Sequence, residues 1–165
     1  MNRKVSISKL PKRSKVANFI SKIDYEDTFA VELQNSDIPI EDIYLNVFAH
    51  SPQWVNTLLK VRNTIVKFFG IKTNIEEMKK ENLKIGKKVG IFRIYEIYEN
   101  ELIVGENEKH LDFRVSVLKN KGILTISTLV HYNNWFGTLY FFIVKPFHKV
   151  VTKSMLINAI NNNRI

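Results

Sequence analysis

His110, Asp112, Arg114 and Ser116 stand two residues apart and alternate with Leu111, Phe113, Val115 and Val117. In a strand that spacing puts the polar four on one face, about 6.5 to 7 Å between successive side chains, and the apolar four on the other. Such a row could bind and polarise a ligand carboxylate or carbonyl, with His110 as acid or base, Asp112 orienting it and Arg114 clamping the anion. The same row also describes the wet side of a sheet laced by ion pairs. If it is buried, its charges must be paired, because an isolated charge away from water is costly.

The remaining chemistry is thinner. The four histidines, His50, His110, His131 and His148, form no His-x-x-x-His or His-Glu-x-x-His pair, so no metal site and no cofactor are expected. His148 follows Pro146-Phe147 and could face either the interior or the solvent. Trp54, Tyr95, Phe113, Trp135, Phe136, Tyr140 and Phe147 come from different segments, and if they converge they line an apolar pocket whose Trp and Tyr tips fix a ligand. A filled, Phe-rich core with no cavity is the plainer reading of the same residues. Gly70-Ile71-Lys72-Thr73 and Gly86-Lys87-Lys88 lack the phosphate-loop pattern, and there is no Gly-x-Gly-x-x-Gly and no Gly-x-Ser-x-Gly elbow. With no cysteine, disulfides, thiolate catalysis and thiolate metal ligands are excluded.

The elements that must position these residues are legible in the periodicity. Ser14 is placed to cap a short helix carrying Val16, Phe19, Ile20 and Ile23. Tyr25, Phe29, Val31 and Leu33 then alternate as a first strand, ended by Gln34-Asn35-Ser36-Asp37. A short helix follows from Pro39, with Ile43, Val47 and Phe48 on one face, and breaks at Ser51-Pro52. Trp54, Leu58, Val61, Ile65 and Phe68 mark a second, with Gly70 at its C-cap position. Residues 72–88 read as a polar connector with a weak helical signal near Ile75 to Lys80. Strands are expected at Ile91 to Tyr98, Glu101 to Glu106, Lys109 to Lys119 and Ile123 to Tyr132, and their short links make them antiparallel neighbours. Trp135 to Asn163 is the longest helical candidate, with Lys145, Lys149 and Lys153 along one side. Phe136, Leu139, Ile143, Phe147, Val150 and Ile157 form the face expected to cover the sheet, and Pro146 should bend or interrupt the helix.

The order β-α-α-β-β-β-β-α is that of one α+β domain over residues 1–165, a curved antiparallel sheet around a long C-terminal helix, in which residues 1–13 form a basic segment free to be flexible. At 165 residues the chain needs no staple to hold its core. Its net charge of +9 is uneven: residues 1–22 hold seven Lys or Arg and residues 145–165 hold four, with no acid in either stretch. Basic ends could recruit nucleic acid or anionic lipid, although without aromatic interleaving no specific nucleic acid is expected. The start lacks a signal-peptide apolar core, and Trp135 to Val144 is half the roughly 20 residues that span a bilayer, so a soluble, cytoplasmic protein with no membrane span is expected.

Several separated segments carry a resemblance. Pro52-Gln53-Trp54-Val55 with Leu58 to Asn63 and Gly70-Ile71-Lys72, then His110 to Val117, then Gly137 to Phe141 with Lys145-Pro146-Phe147-His148, together resemble the bacterial family called domain of unknown function 2867. The resemblance runs in the same order from about Pro11 to Met155. That family is similar in outline to the START-like, helix-grip (SRPBCC) superfamily of lipid-transfer domains, plant hormone receptors and polyketide cyclases. It implies a fold and a cavity and no activity. The expectation is then a small hydrophobic or amphipathic ligand between sheet and helix, touched by His110, Asp112, Arg114, Trp54, Trp135, Tyr140 and His148. One alternative is a cofactor-free cyclase, dehydratase or isomerase using His110 and Asp112. Another is a module binding protein or an anionic surface through its basic ends.

Overall fold

The computed structural model describes residues 3–67 and 77–165. Among these residues seven strands form one antiparallel sheet in the order β1-β2-β7-β6-β5-β4-β3. They are β1 (Ser6–Ile7), β2 (Tyr25–Glu32), β3 (Lys88–Val89), β4 (Phe92–Ile97), β5 (Glu101–Asn107), β6 (Leu111–Asn120) and β7 (Ile123–Tyr132). The helices are α1 (Ile40–Phe48), α2 (Gln53–Lys67) and α3 (Trp135–Asn161), so the layout is α+β and helix-grip-like. Strands β4 to β7 form a meander because their links are tight. Between β6 and β7 only Lys121 and Gly122 intervene, both with positive φ (49° and 77°), the twist a two-residue hairpin needs and the reason glycine serves at the second position. The meander then returns β7 beside β2, with Asp27 opposite Thr128.

The helices lie on one face. Ile40, Ile43, Tyr44 and Val47 of α1 and Met155, Leu156, Ala159 and Ile160 of α3 bury against Phe29, Val31, Val104, Val115, Val117 and Ile126 of the sheet. The opposite face is also covered. A 3-10 turn, Val16–Phe19, lays Val16 (0% exposed) on Ile103 and Leu129, with Leu10, Phe19, Ile20, Tyr95 and Tyr98 around it. The chain before that turn is fastened to the sheet: Ser6 and Ile7 pair with Ala30 and Phe29, and the Arg3 guanidinium donates to the Ile165 carbonyl. What reads in sequence as a free basic tail is, over these residues, a strap.

Helix α3 is continuous through Pro146 and is capped by Asn134, whose side chain accepts from the Gly137 N–H at 3.0 Å. Pro146 sits on the exposed side, where the carbonyl it leaves without an amide partner can be hydrated. The face α3 turns to the sheet is not the expected one. Gly137, Phe141, Thr152, Met155, Leu156, Ala159 and Ile160 are buried, while Leu139, Ile143, Phe147, Val150 and Ile157 are exposed and Phe136 is half-buried. Apolar residues occupy almost the whole circumference of this helix, so its spacing alone does not single out the face that meets the core. The Gly70 cap, the Gly70-Ile71-Lys72-Thr73 stretch and the first two residues of the connector's helical signal fall outside the described residues; of the rest, residues 77–79 are irregular and Lys80–Asn82 form a single 3-10 turn.

Candidate functional site

Strand β2 directs Tyr25, Asp27, Phe29 and Val31 toward the helices, so Asp27 interrupts an otherwise apolar inward stripe. Across from it, α3 brings His148 down from the same helix face as Phe141 and Met155. Asp27 Oδ2 accepts from the Tyr25 hydroxyl at 2.7 Å and lies 3.1 Å from His148 Nδ1. The Asp27 side chain is 7% exposed and that of His148 23%. Asp27 Oδ1 is buried and meets no donor in hydrogen-bonding geometry among the described residues, the Thr128 hydroxyl directly across the strand pair included. The surround is aromatic: Phe141 lies 4.7 Å from Tyr25, 5.7 Å from Tyr132 and 6.3 Å from the His148 ring, and Lys145 Nζ stands 5.0 Å from the Tyr25 ring.

The electrostatics follow from this geometry. Burial by itself raises the Asp27 carboxyl, but the hydrogen bond and charge of His148, with the Tyr25 and Thr128 hydroxyls, outweigh burial and hold it below the usual carboxylate value. Burial, and then the hydrogen bond to Asp27 and its charge, push the Tyr25 phenol well up. An ionised Asp27 only accepts, so His148 carries its proton on Nδ1 in this contact and, when neutral, presents Nε2 as a lone-pair acceptor. A carboxylate that orients an imidazole in this way makes it either a ligand-fixing group or a general base.

A second imidazole–carboxylate pair closes the end of the same strand pair. His131 Nδ1 is 2.6 Å from Asp24 Oδ2, which also accepts the Tyr132 N–H, while Lys22 reaches Asp24 Oδ1 at 2.7 Å. Lys22 foremost, then the Tyr132 amide, against a burial penalty and aided by His131, hold Asp24 far below the carboxylate range. Both aspartates bind fewer protons folded than unfolded. Their contribution to stability is therefore complete above the unfolded value near pH 4 and is lost as pH falls through the lower folded values. Urea midpoints measured from pH 5 down to pH 2 should decline, and Asp24→Asn or Asp27→Asn should each flatten that decline.

The residues singled out by spacing lie elsewhere. Arg114 and Ser116 are buried on the sheet face away from the helices, beneath the N-terminal strap. The Arg114 guanidinium stacks 3.8 Å from the Tyr95 ring centroid and donates to Asn107 Oδ1 and to the Glu106 and Phe113 carbonyls. Ser116 donates to Glu101. Asp112, on that same face opposite His131, accepts from the Asn133 amide. His110 precedes β6, packs its ring on Phe136 at 4.6 Å and has Nδ1 3.2 Å from the Asn134 side-chain amide. Strict alternation placed Asp112, Arg114 and Ser116 together, and the sheet turned that face away from α3.

The aromatic set does not converge either. Trp54 is 45% and Trp135 76% exposed, Phe147 faces outward, Tyr95 lies on the strap side, and Tyr140 is half-buried beside the Tyr25–Phe141 cluster. Of the expected contacts, His148 joins the Asp27 cluster and Tyr140 packs beside it; Tyr25 and Asp27 are not among them, although an acid interrupting the Tyr25–Phe29–Val31 stripe is a signal in itself. Among the described residues no three His, Asp or Glu side chains gather to hold a metal. Two hollows lie off this cluster. One of about 510 Å³ is lined by Arg13, Lys15, Tyr98, Glu101 and Lys119, and one of about 690 Å³ by Asp42, Asn46, His50, Met78 and Lys80. No helix is long and apolar enough to cross a membrane, among the described residues.

A family model described as "Protein of unknown function (DUF2867)" matches residues 19–155, a span that holds Tyr25, Asp27 and His148. No curated protein and no solved structure matches the chain.

Proposed function

The chain belongs to this family of proteins of unknown function, whose description names no activity, and from its geometry we propose that it binds a small amphipathic molecule where β2 meets α3. The observation that carries the reading is the inward-facing Asp27, buried with one oxygen unpaired and the other holding His148 and Tyr25. An unanswered buried carboxylate oxygen is costly, and a ligand hydroxyl or amide donor would relieve it. His148 Nε2 and Lys145 supply the complementary acceptor and cation one helical turn apart, and Tyr25, Tyr132 and Phe141 supply apolar wall.

Native mass spectrometry of the protein isolated from its own cells is the direct test. A retained small molecule is expected. Asp27→Asn and His148→Ala should each weaken its binding at least tenfold, the loss of about one charge-assisted hydrogen bond. Ligand-free protein, or a ligand held equally well by both variants, would sink the reading.

The Asp27–His148 contact favours one second reading, cofactor-free proton transfer. There Nε2 takes a proton from one atom of the bound molecule and returns it to another, leaving the ring neutral again, while Asp27 positions the ring and Tyr25 holds Asp27. It differs from simple binding in one measurable way: the molecule added to the wild type is released altered, while His148→Ala abolishes the alteration.

A further inference from the structure

The outward face of α3 is a feature that the fold leaves unexplained. Trp135, Leu139, Phe142, Ile143, Phe147 and Val150 are 76, 50, 75, 59, 53 and 56% exposed. Their spacing of three, four and one residues keeps them on a single stripe, running about 22 Å along the helix. Phe141, His148, Thr152 and Met155 face the sheet from the other side, so the stripe is not a margin of the core. A contiguous apolar surface of this kind is uncommon on a protein that meets only water.

Charge decides what would cover it. Lys145, Lys149 and Lys153, all exposed, step by four along one flank of the stripe, and no Asp or Glu occurs anywhere from Asn133 to Ile165. A second copy laid on this stripe would bring one lysine row toward another with no acid on either helix to answer it. The helix cannot serve as a span, for it is not apolar enough to cross a bilayer. Bulky apolar and aromatic side chains with a basic flank suit a helix lying in the plane of an anionic membrane surface.

We infer that α3 docks flat on anionic bilayers, its six outward apolar residues entering the boundary between headgroups and acyl chains and Lys149 and Lys153 meeting lipid phosphates. This surface is separate from the Asp27–His148 cluster, and the inference does not depend on a ligand there.

The test uses the full chain with vesicles of phosphatidylcholine, with and without phosphatidylserine, in a flotation assay. Binding to the anionic vesicles is expected, weakened by added salt. Phe142→Ser should reduce it at least tenfold, and Lys149→Gln with Lys153→Gln should do the same. In a Trp54→Phe background, Trp135 emission should shift to the blue on binding. Circular dichroism checks that Phe142→Ser is folded, and Trp135→Ser serves as a second variant if it is not. Absence of binding to anionic vesicles, or binding untouched by both apolar variants, overturns the inference. So does a wild type that is dimeric in solution and becomes monomeric with Phe142→Ser, since a second copy then covers the stripe.

Discussion

Replacing Glu101 with Ala should lower the melting temperature by roughly 6 to 12 °C, the equivalent of about 3 kcal/mol in a chain of this size. Glu101 opens β5 and is 3% exposed on the sheet face away from the helices. Its Oε1 accepts from the Ser14 hydroxyl at 2.5 Å and the Ser116 hydroxyl at 2.6 Å, and its Oε2 accepts from the Lys15 N–H at 2.9 Å. This one carboxylate therefore joins the N-terminal strap to the middle of the sheet. Truncating it leaves the buried Ser116 hydroxyl and the Lys15 amide without an acceptor and frees Val16 from its seat on Ile103 and Leu129. Trypsin should then cut more readily after Lys12, Arg13 and Lys15. Glu101→Gln should fall between the two, because it keeps one acceptor and turns an amide donor toward a donor. An unchanged melt together with unchanged proteolysis would show that the strap is held by something else.

Gly137→Ala should be nearly as damaging, with a fall of roughly 5 to 10 °C. A Cβ at this position would stand 1.9 Å from the His110 carbonyl oxygen. That oxygen cannot easily retreat, since it also accepts the Asn133 N–H at 2.9 Å. The first turn of α3 must instead lift away, straining the cap from Asn134 to the Gly137 amide. The neighbouring exposed Thr138→Ala is the control and should melt close to wild type. Equal melting of the two variants would mean that the approach of α3 to His110 is looser than it stands. Because α3 also carries His148, the Gly137→Ala protein should hold any Asp27-site ligand more weakly, even though Gly137 touches none of that cluster.

Much of the architecture was legible in the chain before folding. The alternation from Tyr25, the meander from Phe92 to Tyr132 and the long terminal helix all come from local periods of two and 3.6, and each of those elements lies within two or three residues of where the spacing put it. The site was less legible. The spacing of His110, Asp112 and Arg114 fits either a cavity lining or a wet face, and the structure presents a third arrangement: Arg114 and Ser116 are dry, with residues 10–20 folded back over that side of the sheet. Short basic segments of low periodicity give no hint of which face they will cover. Asp27 was hidden for a different reason, because its meaning depends on meeting His148, 121 residues away.

The amino-acid order on its own determined which residues share a face, since backbone geometry makes that a local property of strands and helices. Only the tertiary structure decided which face meets which. Turning β7 back beside β2 and choosing one side of an almost uniformly apolar α3 are non-local packing decisions, settled by the whole core at once. Those decisions joined Asp27 to His148, set Arg114 beneath the strap and left the Trp135–Val150 stripe facing outward.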